Sequence, residues 1–253
     1  MPTIIRFVLL TALRDRLFVV LILLLFIAIG ISSGLAKTSM IEQHEMTLSF
    51  SSAVARLLLA IGLIIFVCFH IRHAFDSKEI DVMLSRPISR ARLMIGYWLG
   101  FSVVSAALVA VNVAVMYLLQ PVSMSGFAAW GGSLLLEMWI IVAIALFTSV
   151  TMRSAVSSVM ASLVFYVAGR MMGFFLATIH AKFVFQIAWL NTLTKYIIEG
   201  VSIITPRLDL YGKGSWLIYG PETVDWQLFI LQSASFIPLL LAVTIVDFNR
   251  RQF

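Results

Sequence analysis

The segment FAAWGGSLLLEMWIIVAIALFTSV at residues 127–150 decides the fold class. Its one ionisable side chain is Glu137, and apolar residues fill most of the other positions. A helix of about 20 residues, rising 1.5 Å per residue, crosses the bilayer's hydrocarbon core of about 30 Å. The segment is long enough for such a crossing. It therefore predicts a membrane-spanning helix.

Five further apolar runs accompany it along the chain. Together the runs predict an all-α polytopic membrane protein with six transmembrane helices, near residues 17–35, 52–71, 93–119, 127–150, 155–179 and 227–246. The composition agrees, because 61% of the residues are hydrophobic, 12% are charged and the mean hydropathy is +1.03. No loop is long enough to hold a separate folded unit, so residues 1–253 are predicted to form a single transmembrane domain.

The first apolar run admits a second interpretation, as a signal peptide. Arg6, Arg14 and Arg16 precede it, and the small residues Ser32 and Gly34 follow. The basic region is long, however, and the apolar core runs past the length of a usual signal-peptide core. These features favour a retained helix.

The cations predict the orientation of the chain. With a cytoplasmic N-terminus, eleven Lys and Arg residues fall on the cytoplasmic side and five on the other, while Arg56 and Arg170 lie within spans. Short loops keep their cations in the cytoplasm, so both termini are predicted to be cytoplasmic. The net charge of +6 then reflects topology and contact with the lipid bilayer, and no nucleic-acid partner is needed to explain it.

Residues 180–225 are predicted to lie outside, as an amphipathic helix and loop before the last span. Apolar residues recur at helical spacing over 183–204, while Lys195 and Glu199 occupy another face, which is typical of an interfacial helix. Pro206 ends this helix. A seventh span here would move Arg250 and Arg251 outside, against the charge rule.

Four other side chains are assigned to the membrane interface. Arg56 precedes the apolar part of the second span, where a long cationic side chain can snorkel towards water. The segment after the amphipathic helix contains Trp216, Tyr219 and Trp226, which are suited to the aromatic belt of the head-group region.

Glu137 and Arg170 are the two ionisable residues deepest in the predicted spans. Each lies about 14 Å from the same membrane face, on consecutive antiparallel helices. Burying either charge alone costs about 3 kcal/mol, so a mutual ion pair is the favoured interpretation. A polar translocation pathway is the functional alternative.

Small residues recur at four-residue spacing in three spans and allow helices to approach closely. Packing within one bundle is the favoured interpretation, and a dimer seam is the alternative. The stripes are Gly30 and Gly34, then Ser102, Ala106, Ala110 and Ala114, then Gly169, Gly173 and Ala177.

Catalytic and phosphate-binding motifs are missing from the sequence. It contains no Walker A loop, no G-x-S-x-G elbow and no H-E-x-x-H motif. His70 and His73 share a helical face but have no third metal ligand beside them. The chain is therefore predicted not to be an enzyme by itself, with no metal site.

The cytoplasmic loop at residues 75–92 is the most specific part of the sequence, and it opens the stretch FDSKEIDVMLSRPISRARLMIGYWLG at residues 75–100. Asp76 or Ser77 can cap a short helix that continues to Leu84. Pro87 interrupts this helix, and Ser89 can cap the next one.

This stretch resembles the permease subunits of ABC transporters of the type-2 exporter family, in which Arg-Pro-Ile-Ser-Arg follows a short helix with an acidic start. The permeases linked to multicopper-enzyme maturation are the most similar members. In architecture the resemblance covers the whole chain, including an amphipathic N-terminal approach helix ending near Arg14 and Arg16. The matching positions are Glu79, Leu84, Arg86, Pro87, Ile88, Ser89, Arg90, Leu93 and Gly96.

The resemblance implies a function and a set of partners. The loop would be a coupling element in a cleft of a separate ATPase subunit, carried by Glu79, Leu84, Arg86, Pro87, Ser89 and Arg90. ATP and magnesium would bind to that subunit, and no cofactor to this chain. A second permease half, identical or different, would complete an exporter in the bacterial cytoplasmic (inner) membrane.

Two alternatives belong to other functional classes. The same fold can serve as a membrane scaffold or assembly factor that transports nothing. A secondary carrier is the third possibility, and the lack of intramembrane acids other than Glu137 disfavours it.

Overall fold

The structure is a computed structural model that describes residues 2–14, 16–36, 43–85, 88–119, 124–180, 188–220 and 225–250. Within these residues there is no β-strand, and the chain forms ten α-helices and one 3₁₀ helix. They are α1 (Pro2–Arg14), α2 (Arg16–Ala36), α3 (Gln43–Asp76), α4 (Glu79–Leu84), α5 (Arg90–Leu119), α6 (Met124–Thr151), α7 (Ala155–His180), α8 (Ala188–Ile204), the 3₁₀ helix (Leu208–Leu210), α9 (Ser215–Tyr219) and α10 (Trp226–Arg250).

Five helices are long and apolar enough to cross a membrane. They contain the stretches Glu45–Asp76, Arg90–Leu118, Met124–Thr151, Ala155–Ile179 and Trp226–Arg250. The predicted all-helical fold is confirmed for the described residues, and the length and hydropathy of these five helices are those of an integral membrane protein. The predicted first span falls in α2, where the apolar stretch Val19–Ser32 is shorter.

The helix α6 is the centre of the bundle. It packs against α3, α5, α7 and α10, and its side chains are buried along most of its length. By contrast, α7 and α10 turn large apolar side chains outwards, as a surrounding lipid solvent requires, among them Val164, Phe174, Leu231 and Leu239.

The second span begins earlier than the predicted residue 52. The helix α3 has 34 residues, which corresponds to about 51 Å and exceeds the thickness of the hydrocarbon core. Its first turns contain the buried Leu48 and the buried hydroxyls of Ser51 and Ser52. Arg56 consequently lies well inside the helix.

The bundle has two ends, named here after the short helices that lie there. The α4 end carries α1 and α4, together with the C-terminus of α10. There α1 packs along α5, because Ile4 and Val8 fill the space left by Gly96 and Gly100. A Cβ atom at Gly100 would lie 2.8 Å from Val8 Cβ.

The α9 end carries α8, the 3₁₀ helix and α9. The predicted amphipathic helix corresponds to α8, and residues 183–187 of the prediction lie outside the described residues. One face of α8 is exposed and apolar, with Trp189, Tyr196 and Ile197, while Lys195 and Glu199 form an ion pair at 3.8 Å.

The segment after α8 folds back into the bundle. Leu208, Tyr211 and Leu217 are fully buried, and Trp216 is 7% exposed. The ring of Trp216 packs against Phe229 of α10, whereas Tyr219 and Trp226 are exposed, as residues of an aromatic belt would be. Residues 205–220 are called the re-entrant segment below.

Candidate functional site

Glu137 is the centre of a buried charge cluster between α3, α6 and α7. Its Oε2 lies 3.7 Å from Arg56 Nε, and its Oε1 lies 3.8 Å from Arg170 Nη1. The side chains of Glu137, Arg56 and Arg170 are 0%, 6% and 30% exposed. The structure thus brings Glu137 and Arg170 together and adds a second arginine.

The cluster lies deep in the bundle. Glu137 and Arg56 follow the first residues of α6 and α3 by about 20 Å along the helix axis, and Arg170 precedes the end of α7 by about 15 Å. At such depth an isolated charge is costly, and the shared carboxylate lowers that cost for both guanidinium groups. With both arginines charged and Glu137 ionised, the cluster has a net charge of +1.

Arg56 is the member that the sequence analysis missed. The sequence predicts that Arg56 snorkels to the interface, but its side chain points into the protein and is nearly fully buried. The difference follows from the longer α3, which moves Arg56 away from the helix end. Residues 43–52 mix polar and apolar side chains and contain no proline or glycine, so the sequence allows the helix to begin before the apolar run.

Arg170 also holds the re-entrant segment. Its Nη1 donates hydrogen bonds to the carbonyl oxygens of Leu208 at 2.6 Å and Tyr211 at 3.1 Å. A guanidinium can serve several acceptors at once, so this one side chain joins α7, Glu137 and the loop. The carbonyl oxygens of Leu208 and Tyr211 therefore fix the orientation of the Arg170 guanidinium more closely than its ion pair with Glu137 would do alone.

Gly212 brings the re-entrant segment against Arg56. It has a φ of +57°, and its backbone N–H donates to Ser133 Oγ of α6 at 3.0 Å. A Cβ atom at this position would lie 2.7 Å from Arg56 Nη2. Glycine is therefore favoured here, because a side chain would strain the left-handed backbone and would crowd the guanidinium.

Tyr211 anchors the same segment on its other side. Its hydroxyl lies 3.1 Å from the Phe229 carbonyl oxygen, to which it donates, and 3.2 Å from Ser233 Oγ. Burial raises the pKa of Tyr211 to about 12, so the phenol remains a neutral donor at physiological pH. The cluster and the re-entrant segment form one connected unit.

The chemistry of this unit is electrostatic. Within the described residues no group of three His, Cys, Asp or Glu side chains is arranged to hold a metal ion. The two arginines contact the Glu137 carboxylate as ion pairs that are longer than hydrogen bonds, and neither of its oxygens accepts a hydrogen bond from the described residues. The buried hydroxyl of Tyr166 also has no hydrogen-bond partner there. The unit can hold the re-entrant segment in place, and it can present charge to a polar path.

The stripes of small residues differ in their surroundings. In α7, a Cβ atom at Gly169 would lie 2.7 Å from the Pro206 carbonyl oxygen, and one at Gly173 would collide with the Asp209 carboxylate. This stripe packs against the re-entrant segment of the same chain. In α5, Ala106, Ala110 and Ala114 line a cavity of about 460 Å³ shared with α6.

The predicted coupling residues lie at the α4 end. The helix α4 covers Glu79–Leu84, where the sequence predicts a short helix. Neither of the two predicted caps is used, because the Ser77 hydroxyl donates to the His73 carbonyl of α3 at 2.8 Å and the Asp76 carboxylate pairs with Arg72 of α3. The turn instead uses Lys78, whose φ of +58° is left-handed. Arg86 and Pro87 lie outside the described residues.

Ser89 and Arg90 have defined positions at the start of α5. The Ser89 hydroxyl accepts a hydrogen bond from the Arg92 N–H at 3.3 Å, the geometry of an N-cap. Arg90 Nη1 donates to the carbonyl oxygens of Phe248 at 3.1 Å and Asn249 at 3.3 Å. The segment that leads from α4 is thereby joined to the end of α10.

A groove separates α4 from α1. Its volume is about 410 Å³, and its apolar lining includes Ile4, Phe7, Val82 and Met83. The half-buried Glu79 also lines it. Leu84 is half-buried and packs against the core.

Comparisons with known proteins add no family assignment. No protein-family model matches the sequence, and no curated protein is significantly similar to it. The resemblance of residues 79–96 to ABC permeases stays a prediction.

Proposed function

We propose that this chain is the membrane permease subunit of an ATP-driven ABC transporter, working as an exporter. Two permease halves would form the translocation path, and a separate ATPase subunit would bind ATP and magnesium. The chain itself would be no enzyme and would bind no cofactor directly. The proposal places the protein in the bacterial cytoplasmic membrane.

The geometry around α4 is the observation that carries the proposal. A coupling element needs a surface for a partner and a firm connection to the membrane helices. Val82 of α4 is 66% exposed beside the groove, while Ile80 is buried in the core. On the inner side, the Tyr97 hydroxyl of α5 lies 3.7 Å from Met83 Sδ, so α4 contacts a spanning helix directly.

The distribution of Lys and Arg supports the proposed topology, because eleven of them fall on the proposed cytoplasmic side and five on the other. Counting α2 as the sixth span is reasonable, since its 21 residues reach about 31 Å. With both termini inside, the α4 end faces the cytoplasm and would meet the ATPase. The amphipathic α8 and the re-entrant segment would then lie on the outer side.

A mechanism follows from these positions. Closure of two ATPase subunits around ATP would push on α4 and the loop at 75–92. The displacement would pass to α3 and α5 because they flank α4 along the chain. It would pass to α10 through the hydrogen bonds from Arg90 to the carbonyl oxygens of Phe248 and Asn249. Rearrangement of the helices around a path between the two halves would move the transported molecule.

Co-purification with an ABC ATPase encoded beside this chain tests the proposal. We expect the pair to hydrolyse ATP in proteoliposomes, and Val82→Arg to abolish binding because it puts a charge on the exposed apolar surface of α4. Tyr219→Arg is the matched control, since Tyr219 is 69% exposed at the opposite end.

A scrambled sequence over residues 79–90 is the stronger variant. It should leave the helical content unchanged and remove the ATPase stimulation. If the scrambled chain still bound and stimulated the ATPase, coupling through this loop would be wrong. If no ATPase bound the unaltered chain, a scaffold function would replace the transporter.

A further inference from the structure

Asn112 places a polar amide in the otherwise apolar seam between α2 and α5. It is 1% exposed, and neither its amide nitrogen nor its amide oxygen has a hydrogen-bond partner among the described residues. It lines a cavity of about 10 Å³ whose other walls are apolar side chains. These are Ile22, Leu25, Phe26 and Ile29 of α2, with Val111 and Val115 of α5.

The closed seam does not satisfy the amide. A buried polar group without a hydrogen-bond partner destabilises the folded protein. Some buried hydroxyls in the spans bond to nearby carbonyls, as Ser105 does to Ser102 and Thr244 does to Leu240, whereas the hydroxyls of Ser51, Ser102 and Tyr166 have no partner among the described residues. A single water would fit the cavity volume, but one amide supplies fewer than the usual three partners of a buried water.

The helix α2 packs extensively against α3 but makes little contact with α5, so little packing holds the α2–α5 seam itself. Its opposite face is exposed and apolar, with Leu23, Leu24, Ile27 and Ile31. Separating α2 from α5 therefore breaks less packing than opening the seams around α6.

We propose that the α2–α5 seam opens and that Asn112 then hydrogen-bonds the transported molecule. The Ile, Leu, Phe and Val walls fit a largely apolar molecule, and the amide fits one hydroxyl, carbonyl or amide group on it. This inference rests on the proposed transport function, which it deepens by assigning a binding residue and a substrate class.

Opening of the seam is tested by labelling Asn112→Cys with a water-soluble maleimide, in a Cys68→Ala background. We expect labelling in membranes, faster when ATP and vanadate are present. Ser105→Cys in the core and Val103→Cys on the lipid side should stay unlabelled, while Ser215→Cys should be labelled throughout. If Asn112→Cys stayed as unreactive as Ser105→Cys in every state, the seam does not open.

Binding is tested with Asn112→Leu, whose side chain has a similar volume but no amide. We expect a higher melting temperature, because an unpaired polar group is removed. Stimulation of ATP hydrolysis by dodecanol, but not by dodecane, should need about tenfold more alcohol in the variant, the loss of about 1.4 kcal/mol. A lower melting temperature, or an unchanged dodecanol requirement, would overturn the role of Asn112.

The two proposals fail in different ways. Labelling of Asn112→Cys requires no ATPase, so a closed seam contradicts this inference even where the ATPase binds. Absence of any ATPase partner contradicts the proposed function, whatever the labelling result.

Discussion

Arg90 is hydrogen-bonded to the last turn of α10, because its Nη1 donates to the Phe248 carbonyl oxygen at 3.1 Å. The guanidinium also lies 5.7 Å from the centroid of the Phe248 ring. A cation at a helix C-terminus satisfies terminal carbonyls and opposes the negative end of the helix dipole. The residue that the sequence assigns to ATPase coupling therefore has a defined partner inside the chain.

Arg90→Ala should loosen the end of α10. The expected loss of unfolding free energy is about 1 kcal/mol, the net value of such hydrogen bonds at a partly exposed site. Amide hydrogen exchange of residues 246–250 should become faster. Arg92→Ala is the matched control, because Arg92 is exposed and its side chain is not involved in the helix end. Equal exchange in the two variants would contradict the connection.

Gly169→Ala should disturb the re-entrant segment. The added methyl group would lie 2.7 Å from a backbone oxygen, that of Pro206, which cannot rotate away. Overpacking of this kind costs about 1–3 kcal/mol. The melting temperature should fall and cleavage of residues 205–220 by a protease should become faster.

Gly200→Ala provides the control for that prediction. A Cβ atom at Gly200 meets no atom within 4 Å, so the change should stabilise α8 by about 1 kcal/mol through helix propensity alone. If Gly169→Ala changed the oligomeric state and left the segment intact, the stripe on α7 would be a dimer seam.

Reporter fusions test the topology. Fusions after Phe253 and within residues 76–90 should report the cytoplasm, since the cations concentrate at that end. A fusion at the exposed Lys213 should report the outside. A cytoplasmic signal at Lys213 would contradict the proposed number of spans and the outer position of α8.

Five of the six apolar runs coincide with helices long and apolar enough to cross a membrane, because such a helix needs little more than length and hydropathy. The equal depth of Glu137 and Arg170 follows from counting residues along each predicted span from the same membrane face. Whether the two side chains face each other does not follow from the count, because the rotation of each helix about its axis depends on how the neighbouring helices pack. The 3.8 Å separation is therefore information that only the structure provides.

The re-entrant segment shows where the sequence is ambiguous. Tyr211 and Trp216 are aromatic residues with polar atoms in a glycine-rich loop, which suits the membrane interface as well as a packed core. Their burial depends on Arg170, Ser133 and Phe229, which are distant in sequence. Likewise, the capping of α10 by Arg90 joins residues 158 positions apart.

Charge balance in the cluster predicts an order of single-variant effects. Glu137→Leu leaves two buried cations facing each other and should be the most damaging, by about 3–5 kcal/mol. Arg56→Met leaves the Glu137–Arg170 pair neutral and should cost least. Arg170→Met should lie between them, because the re-entrant segment also loses its bonds to Leu208 and Tyr211.

The double variants separate architecture from transport. Glu137→Leu with Arg56→Met removes the two most buried charges and leaves Arg170 with its carbonyl acceptors, so much of the lost stability should return. Glu137→Leu with Arg170→Met leaves Arg56 buried and unpaired, so recovery should be smaller. Melting temperatures and ATP-driven transport on the full set decide between the two roles. Equal recovery in the two doubles would contradict a shared carboxylate, whereas a stable but inactive first double would assign the cluster to the translocation path.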